Sequence, residues 1–444
     1  MPPYDPRMYA WFESLKTYRE PRLLAILFMG FSSGLPLPLT FATLSLWLAE
    51  AGISRTEIGL FVLVGFAYNY KFLWSPFIDR MPLPGLTHRF GRRRGWALAT
   101  QVLLAVAIYA LGQFDPRTEL ASIAGMAVLV AFLSASQDIV IDAFRIELLT
   151  PAEQGPGAAA TQWGYRVGLL ASGAGALYVA HFGGWQTAYA VMAALMGVGI
   201  VTILLTREPA VRDQALPHPH GGTLGHRLAA WINTAVIRPF ADFMTRPGWA
   251  AILAFVILYK LGDALAGVMA NPFYVAMGFS KLEIANISKF FGFAATLAGV
   301  AAGGVAAQRW GFYRSLFLCG ILQMLSNFMY VVQAWVGHDP WMLTLTIFGE
   351  NFTGGMGSAA FIAYLSSLCN VAFTATQYAL FSSLAALPTR LLSAPAGWLS
   401  EQVDWASFFA LTALGAVPGL VMVLWLMRRF PVVATGKPVL VLDD

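Results

Sequence analysis

Charged side chains are scarce in this sequence of 444 residues. Asp, Glu, Lys and Arg make up 11% of it and hydrophobic residues 58%, whereas an average soluble domain carries about 25% charged residues. The mean hydropathy is +0.63. This composition excludes an ordinary water-soluble protein and indicates a polytopic membrane protein. The formal charge of +5 is spread over the loops, so it does not suggest a nucleic-acid partner.

Cysteine and histidine are also rare, and neither forms a known motif. Cys319 and Cys369 make no CxxC pair and are expected to be free thiols, and the six histidines form no zinc motif. We therefore expect no metal and no cofactor. HExxH and paired GxGD are absent, and His181 and His338 lie at span ends. A membrane-embedded enzyme is thus disfavoured, and a passive channel is the other alternative class. No cleavable signal peptide is recognisable.

Twelve apolar stretches are long enough to cross a bilayer, which takes about 20 residues per helix. They are 22–49, 56–79, 96–113, 120–147, 157–181, 185–206, 248–276, 283–307, 315–336, 341–368, 377–401 and 405–427. This pattern predicts an all-α membrane protein made of two six-helix bundles. The predicted segments are an N-terminus with room for a short helix (1–21), an N-terminal bundle (22–206), a linker (207–247), a C-terminal bundle (248–428) and a tail (429–444).

The linker begins with the polar stretch "REPAVRDQALPHPHGG". After it, Leu228, Trp231, Ile232, Val236 and Phe240 repeat at helical spacing. The uncharged part is too short to span a bilayer, so we expect an amphipathic helix that lies in the membrane interface. A re-entrant segment or an additional span is the alternative.

Lysine and arginine are distributed unequally between the two sides of the predicted bundle. One side collects "HRFGRRR", the linker arginines and the terminal "MRR", whereas the other holds only Arg55, Arg117 and Lys281. Because loops rich in Lys and Arg stay in the cytoplasm, we expect both termini to be cytoplasmic.

A short repeat relates the two halves. "GISRTEI" (52–58) and "GFSKLEI" (278–284) share Gly, Ser, a basic residue, Glu and Ile in register, at an offset of 226 residues. Each lies between the first and second span of its half. Duplicated halves with a binding site between them are a recurring design of transporters.

Nine charged residues lie deep within the predicted spans, where an unpaired charge is costly and usually has a function. They are Lys71, Asp138, Asp142, Arg166, Lys260, Asp263, Lys289, Glu350 and Arg390. Spans three, six, nine and twelve have none, so every third helix can face lipid. The other eight helices can then surround a polar central cavity.

Helical depth suggests how these charges are paired. Lys71 and Asp138 both fall roughly 6 Å from mid-span, so we expect them to pair. Asp142 shares a helix face with Asp138, and Arg145 can neutralise it. Asp138 is therefore the first candidate to carry a coupling proton. The other proton-coupling candidates are Asp142, Asp263 and Glu350.

The deep cations outnumber the deep carboxylates by one, so the predicted cavity is mixed and slightly cationic. Such a cavity suits a substrate that bears carboxylates or phosphates. The substrate-binding candidates are Lys71, Arg166, Lys260, Lys289, Arg390, Gln137 and Asn351, with Tyr68, Tyr70, Trp163 and Tyr259 placed to stack on sugar rings. Alternatively, the charges only pair with one another to fix helix packing.

The stretch "WSPFIDRMPLPGLTHRFGRRRGW" after span two resembles the cytoplasmic loop motif of the major facilitator superfamily. Asp79, Arg80, Gly91, Arg92 and Arg93 match that motif. The sequence departs from it by a serine at the first position and by about ten extra residues before the glycine. The resemblance implies that these residues latch the two halves at the cytoplasmic side. We group Arg145, near the same side, with this gating motif.

The combination of "GFSSGLPLPLT", "YKFLWSPFIDR", "ASQDIVIDA" and "GYRVGLLASGAGAL" is similar to the AmpG family of muropeptide permeases. The resemblance implies a monomeric, multi-pass transporter of the bacterial inner membrane and no enzymatic activity. It further implies proton symport of anhydro-muropeptides (GlcNAc-anhydroMurNAc with or without a stem peptide) from periplasm to cytoplasm. Peptidoglycan recycling and a link to β-lactam resistance follow from it. Related permeases leave a siderophore, an acetyl-CoA-type metabolite or a drug as alternative substrates.

Overall fold

The computed structural model describes residues 17–209, 232–280, 283–391 and 393–430, and every regular element in these ranges is a helix. The helices assemble into twelve rods, α1 to α12, several of them built from more than one segment. Their positions coincide with the twelve predicted spans. The predicted fold class, two six-helix halves around a cavity, is thereby confirmed.

The first half contains α1 to α6. The rods are α1 (Pro21–Glu50), α2 (from Arg55–Leu60 to Ser75–Arg80), α3 (Arg92–Leu111), α4 (Leu120–Leu148), α5 (Gln154–Leu170 with Ala171–Gly175) and α6 (ending with Gly197–Leu205). The stretch Ala176–Leu195 holds the end of α5 and the beginning of α6. These two rods separate at Gly184, whose φ of 79° is outside the helical range.

The second half contains α7 to α12. The rods are α7 (Trp249–Ala276), α8 (Ile284–Phe291 and Gly292–Trp310), α9 (Phe312–Val336), α10 (Pro340–Ser367), α11 (Thr374–Leu391 and Ser393–Gln402) and α12 (Trp405–Arg429). We call the end of the bundle where α1 begins and α12 ends the basic end, and the opposite end the far end.

Length and composition alone identify eight helices that can cross a membrane, and a ninth if the bent pair Pro340–Ser367 and Val371–Ala386 forms one span. This count is below twelve for three reasons. The bent pair holds two rods, α10 and the first part of α11. The stretch Pro151–Leu205, with 55 residues, holds both α5 and α6. In addition, α2 consists of segments of 3 to 6 residues, and each of these is too short by itself to cross a bilayer.

Two rods change their helical geometry at a lysine. In α2 a 3₁₀ turn, Lys71–Leu73, follows Tyr70, whose φ is −103° and ψ 12°. In α7 the helix is interrupted at Lys260, with φ −99° and ψ 7°. Broken helices are typical of transporter binding sites, because the irregular backbone lines a cavity rather than lipid. Both lysines therefore lie where the backbone itself departs from a straight span.

The repeat predicted from "GISRTEI" and "GFSKLEI" has the same geometry in both halves. The hydroxyl of Ser54 donates to the Glu57 carboxylate at 2.6 Å, and its oxygen accepts from the Glu57 N–H at 3.2 Å. The corresponding distances between Ser280 and Glu283 are 2.7 and 3.2 Å. Each pair is a capping box, which satisfies the free N–H groups where α2 and α8 begin. The internal repeat is therefore structural as well as sequential.

Small residues let neighbouring rods approach closely within each half. A Cβ atom on Gly164 of α5 would lie 1.8 Å from the Leu27 carbonyl oxygen of α1. In the second half, a Cβ atom on Gly299 of α8 would lie 2.0 Å from the Phe352 carbonyl oxygen of α10. These contacts leave no room for any larger side chain, as in other small-residue helix interfaces of membranes.

The linker is described only from Ile232 onward. Leu228 and Trp231, two residues of the predicted interfacial helix, lie outside the described residues. The described part contains the short helix Arg238–Met244, which we call the linker helix. Gln377 at the beginning of α11 donates to the Pro239 carbonyl and to the Asp242 carboxylate, both at 2.9 Å. The linker helix is thus attached to the second half beside α11.

Candidate functional site

A cavity of about 770 Å³ lies between the two halves. All eight helices predicted to surround a cavity contribute to its wall, and α9 contributes as well. The polar wall residues are Ser33, Lys71, Asp138, Asp142, Thr161, Gln162, Tyr165, Arg166, Lys260, Asp263, Thr296, Gln323, Glu350, Asn351, Ser358, Tyr378 and Ser382. A volume within the usual 300–1,000 Å³ of ligand sites, together with this density of polar groups, defines a site for a small polar molecule.

The first half places two carboxylates and one lysine on the wall. The hydroxyl of Ser33 in α1 donates a hydrogen bond to Asp138. Lys71 lies 3.9 Å from an Asp142 oxygen, and Arg145 lies 3.6 Å from the other Asp142 oxygen. The expected pairing of Arg145 with Asp142 is present. The ion pair of Lys71 is made with Asp142, however, and not with Asp138 as the depth argument predicted.

The second half places Lys260, Asp263 and Glu350 on the wall. Lys260 is satisfied within its own helix, since its ammonium donates to Asp263 at 3.1 Å. Glu350 accepts a hydrogen bond from the Asn351 amide at 2.9 Å, and Asn351 accepts from Thr296 at 2.9 Å. Glu350 therefore keeps lone pairs for a ligand, and the charge of Lys260 is balanced by Asp263.

Arg166 of α5 faces the cavity from the first half. Its Nε–H is buried and donates to no partner within the described ranges. A guanidinium is a strong, planar donor of hydrogen bonds to carboxylates. Among the wall residues, Arg166 is therefore the group best prepared to bind an anion from the ligand.

Charged residues of both signs line the wall. Its charged residues in the described part are three cations, Lys71, Arg166 and Lys260, and four carboxylates, Asp138, Asp142, Asp263 and Glu350. The backbone at Lys289 and Arg390 is described, but their side chains lie outside the described residues. The predicted slight cationic excess included these two cations, so it stays a prediction.

Five other predicted ligand contacts lie outside the cavity wall. The buried hydroxyl of Tyr259 donates to the Leu316 carbonyl at 2.9 Å, and the Gln137 amide donates to the Ser32 carbonyl at 3.0 Å. The Trp163 indole donates to the Leu297 carbonyl at 2.7 Å. Tyr68 is largely buried, whereas Tyr70 is half exposed. All five residues belong to helices that line the cavity. Whether such a residue reaches the cavity depends on the direction in which its side chain leaves the helix.

Several wall residues were missed because they are polar but uncharged. Ser33, Thr296 and Gln323 lie in apolar stretches, and Gln323 belongs to α9, which was assigned to the lipid side for lack of charge. An isolated glutamine within an apolar span was the available signal for Gln323, because an unpaired amide in hydrocarbon is costly. In the described ranges, no group of three or more His, Cys, Asp or Glu residues is arranged to hold a metal ion.

A buried ionic cluster closes the basic end. Arg93 of α3 donates to Asp79 of α2 at 2.7 Å and to Glu147 of α4 at 2.5 Å, and all three side chains are at most 2% exposed. The other oxygen of Asp79 accepts from the Thr376 N–H at 3.2 Å and from its hydroxyl at 3.0 Å. Thr376 lies in the first turn of α11, where a carboxylate is favoured by the free N–H groups and the helix dipole. Asp79 therefore joins the two halves.

Two further arginines of the predicted gating motif reach the second half. Arg80 donates to the Ala372 carbonyl at 3.0 Å and lies 4.7 Å from the Phe373 ring centroid. Arg145 donates to the Ser366 hydroxyl at 3.0 Å. Together with Asp79 they fasten α2 and α4 to the α10–α11 turn.

Gly91 and the arginines after it have a local role. Glu208, which follows α6, accepts from the backbone N–H groups of Arg93 and Arg94 at 2.8 and 2.9 Å. Gly91 has a φ of 93° and would place a Cβ atom 2.4 Å from the Glu208 carboxyl carbon, so the position excludes other residues. Glu208 thus caps α3 and supports Arg93, a role that the sequence did not reveal.

Comparison with known proteins agrees with this architecture. Residues 23–391 match the model of the Major Facilitator Superfamily. The solved structure of the proton:xylose symporter XylE bound to 6-bromo-6-deoxy-D-glucose has the same fold, with a TM-score of 0.67 at 12% identity over 96% of this chain and 98% of that one. The chain belongs to the Major Facilitator Superfamily and is a multi-pass membrane transporter rather than an enzyme.

Curated relatives define the family more narrowly. The chain is 42% identical over 412 residues to the anhydromuropeptide permease of Escherichia coli (strain K12), covering 92% of this chain and 80% of the relative. It is 36% identical over 421 residues to a putative transporter AmpG 4 of Rickettsia conorii, covering 93% and 98%. Within the superfamily, the chain is a member of the AmpG-type permeases.

Proposed function

We propose that this protein is a proton-coupled importer of anhydro-muropeptides that works by alternating access. The observation that carries the proposal is the inter-half cavity, which is fastened at the basic end and whose described wall residues include four carboxylates and three cations. The similarity to the E. coli permease supports the substrate class. The distribution of lysine and arginine supports the orientation, because the positive-inside rule assigns the basic end to the cytoplasm.

The substrate would be held by its acidic and hydroxyl groups. An anhydro-muropeptide carries carboxylates on its peptide and several hydroxyl and amide groups on its sugars. Arg166, with a free buried donor, binds a carboxylate, and Lys71 adds a second positive charge. Glu350, Asn351 and Gln323 on the opposite wall accept from and donate to hydroxyl and amide groups.

The coupling proton is assigned to Asp138. Asp142 lies between Lys71 and Arg145, and Asp263 is bonded to Lys260. Among the described residues, the partner within hydrogen-bonding distance of Asp138 is neutral, the Ser33 hydroxyl. Asp138 is therefore first choice, as in the prediction from sequence, and Glu350 is second.

Proton and substrate together then permit the halves to move. Ligands shift a conformational equilibrium only through their different affinities for the two states. A cavity with an uncompensated charge is costly to enclose, since burying a charge without a partner is expensive. Protonation of Asp138 and capture of a carboxylate by Arg166 both lower that cost. The halves can then rock, and the cytoplasmic release follows when the Asp79 latch opens.

The test is uptake of labelled anhydro-muropeptide into proteoliposomes with and without an imposed pH gradient. We expect accumulation above the external concentration only when the outside is acidic. Asp138→Asn should abolish this accumulation but preserve exchange of internal for external substrate. The matched control is Asp115→Asn, in the exposed α3–α4 loop. Normal accumulation by Asp138→Asn would remove this residue from coupling, and wild-type protein that takes up no muropeptide would overturn the substrate assignment.

The anion-binding role of Arg166 is tested in the same assay. Arg166→Gln should raise the KM roughly 10- to 150-fold, because hydrogen bonds to charged groups contribute about 1.5–3 kcal/mol. Arg117→Gln, in the exposed α3–α4 loop, is the control. Competition by a siderophore, acetyl-CoA or a drug at lower concentration than the muropeptide would favour one of those substrates.

A further inference from the structure

The two halves also meet along a second seam, between α5 and α8, that contains none of the gating motif. Gly155 at the beginning of α5 faces Gly304 near the end of α8, and a Cβ atom on Gly155 would lie 2.5 Å from the Gly304 carbonyl oxygen. Small apolar residues, including the buried Ala159 and Val300, continue the contact toward the cavity. This seam therefore closes by backbone proximity, whereas the α2–α11 seam closes by charge.

Two aromatic side chains of the first half cross this seam. The Trp163 indole N–H donates to the Leu297 carbonyl of α8 at 2.7 Å, and the Tyr18 hydroxyl donates to the Ala301 carbonyl at 3.3 Å. The two acceptors are one turn apart on α8. The two rings stack on each other, with centroids 5.8 Å apart and planes inclined by 14°. Tyr18, which precedes α1 in the turn Thr17–Arg19, thus lies across α5 and reaches α8.

The Trp163 indole N–H and the Tyr18 hydroxyl depend on the two α8 carbonyl acceptors when the seam is closed. The indole N–H and the phenol O–H of buried aromatic residues usually find a hydrogen-bond partner, because leaving them unpaired is costly. When α8 separates from α5, both donors lose their acceptors in the same movement. The aromatic pair stays behind on the first half. The pair therefore stabilises the closed seam selectively.

Resting on the alternating-access function proposed above, we infer that Tyr18 and Trp163 form an aromatic strap, which holds the α5–α8 seam closed at the basic end. The turn before the first membrane helix is accordingly a part of the gate. The strap positions the helices and does not touch the transported molecule, since neither residue lies on the cavity wall. Its loss shifts the resting population toward the state that is open at the basic end.

The experiment measures the distance across the seam in the full chain. Spin labels on Ala152→Cys, at the exposed start of α5, and on Arg314→Cys, at the exposed start of α9, report the separation of the halves. The native cysteines are replaced by Cys319→Ala and Cys369→Ser, and pulsed electron spin resonance gives the distance distribution. Lipid nanodiscs without substrate are the sample.

Tyr18→Phe removes only the hydroxyl donor. Trp163→Phe removes the indole N–H together with one of the two fused rings, and it keeps a ring for stacking. We expect each to increase the long-distance population relative to the short one roughly 2- to 10-fold, the range that corresponds to one neutral hydrogen bond. Tyr109→Phe and Trp185→Phe are matched controls. Tyr109 is exposed on α3, and Trp185 donates to Glu50 within the first half at 2.9 Å. Both controls should leave the distribution unchanged.

The strap would be refuted if Tyr18→Phe and Trp163→Phe both left the spin-label distance distribution unchanged while their thermal stability equalled that of the parent chain. If a Phe variant does not fold, Ala159→Leu provides a second measurement. This change enlarges a small residue in the seam and should also increase the long-distance population, and a narrow short-distance distribution would again contradict the inference. Because the readout needs no substrate, a population shift without muropeptide uptake would leave the strap standing and reject only the substrate.

Discussion

Removal of the Arg93 guanidinium should destabilise the protein far more than removal of an exposed arginine nearby. Arg93 is 2% exposed and compensates two carboxylates, Asp79 and Glu147, that are each 1% exposed. Breaking a buried ion pair by deleting one partner typically costs about 3–5 kcal/mol, because the remaining charge is buried and uncompensated. Arg93→Met leaves two such charges. We therefore expect a decrease near the upper end of this range in the free energy of unfolding.

The matched control is Arg89→Met. Arg89 is exposed at the same end of the molecule, and its guanidinium lies 5.5 Å from the Phe90 ring centroid. An exposed cation–π contact contributes about 0.5–1 kcal/mol, so this variant should lose no more than that. The assay is equilibrium unfolding in mixed micelles, followed by tryptophan fluorescence.

A rescue variant separates charge from packing. In Arg93→Met the side chain keeps much of its volume, so the loss should arise mainly from the uncompensated carboxylates. Addition of Glu147→Gln removes one of these charges and should restore part of the lost stability. Equal stability of the Arg93→Met and Arg89→Met variants would refute this reasoning, and so would a further loss on addition of Glu147→Gln.

Three further predictions concern other parts of the molecule. Gly164→Val should prevent stable packing of α1 on α5, since its Cβ position lies 1.8 Å from a Leu27 backbone oxygen; folded yield on size-exclusion chromatography checks this, and a normal yield would contradict it. Gln323→Leu should weaken substrate binding several-fold in a direct binding assay without loss of folded protein, because it removes one hydrogen-bonding amide from the wall; unchanged affinity would exclude Gln323 as a contact. At the far end, the Ser407 hydroxyl and N–H donate to the Asp404 carboxylate and hold its pKa below the usual value of about 3.9. This cap therefore stabilises the first turn of α12 fully at a pH above the usual pKa. The stabilisation is lost as the pH falls through the lower pKa of the folded protein. Hydrogen exchange in that turn should therefore accelerate only below about pH 4, and the same step in Asp404→Asn would show that another group titrates.

The sequence alone determined the properties that depend on position along the chain. Apolar stretches of sufficient length predicted the twelve rods, and the repeated Ser–Glu pairs located the same capping box, at Ser54 and Ser280, in both halves. Depth is also linear in the sequence, at about 1.5 Å per residue. All seven spans with deep charges contribute to the cavity wall, as does α1, whereas α9 was missed. The loop motif identified Asp79 as a residue that joins the halves.

Only the tertiary structure decided properties that depend on the angle around each helix axis. Lys71, where a 3₁₀ turn begins in α2, forms its ion pair with Asp142 rather than with Asp138 one turn away on the same face of α4. Trp163 was predicted to face the ligand but binds a carbonyl of α8, and uncharged Gln323 was assigned to lipid but lines the cavity. Contacts between segments distant in sequence, such as Glu208 with the beginning of α3, likewise have no local signature. Hydropathy reports how deep a residue lies, and the packing of the halves determines what it faces.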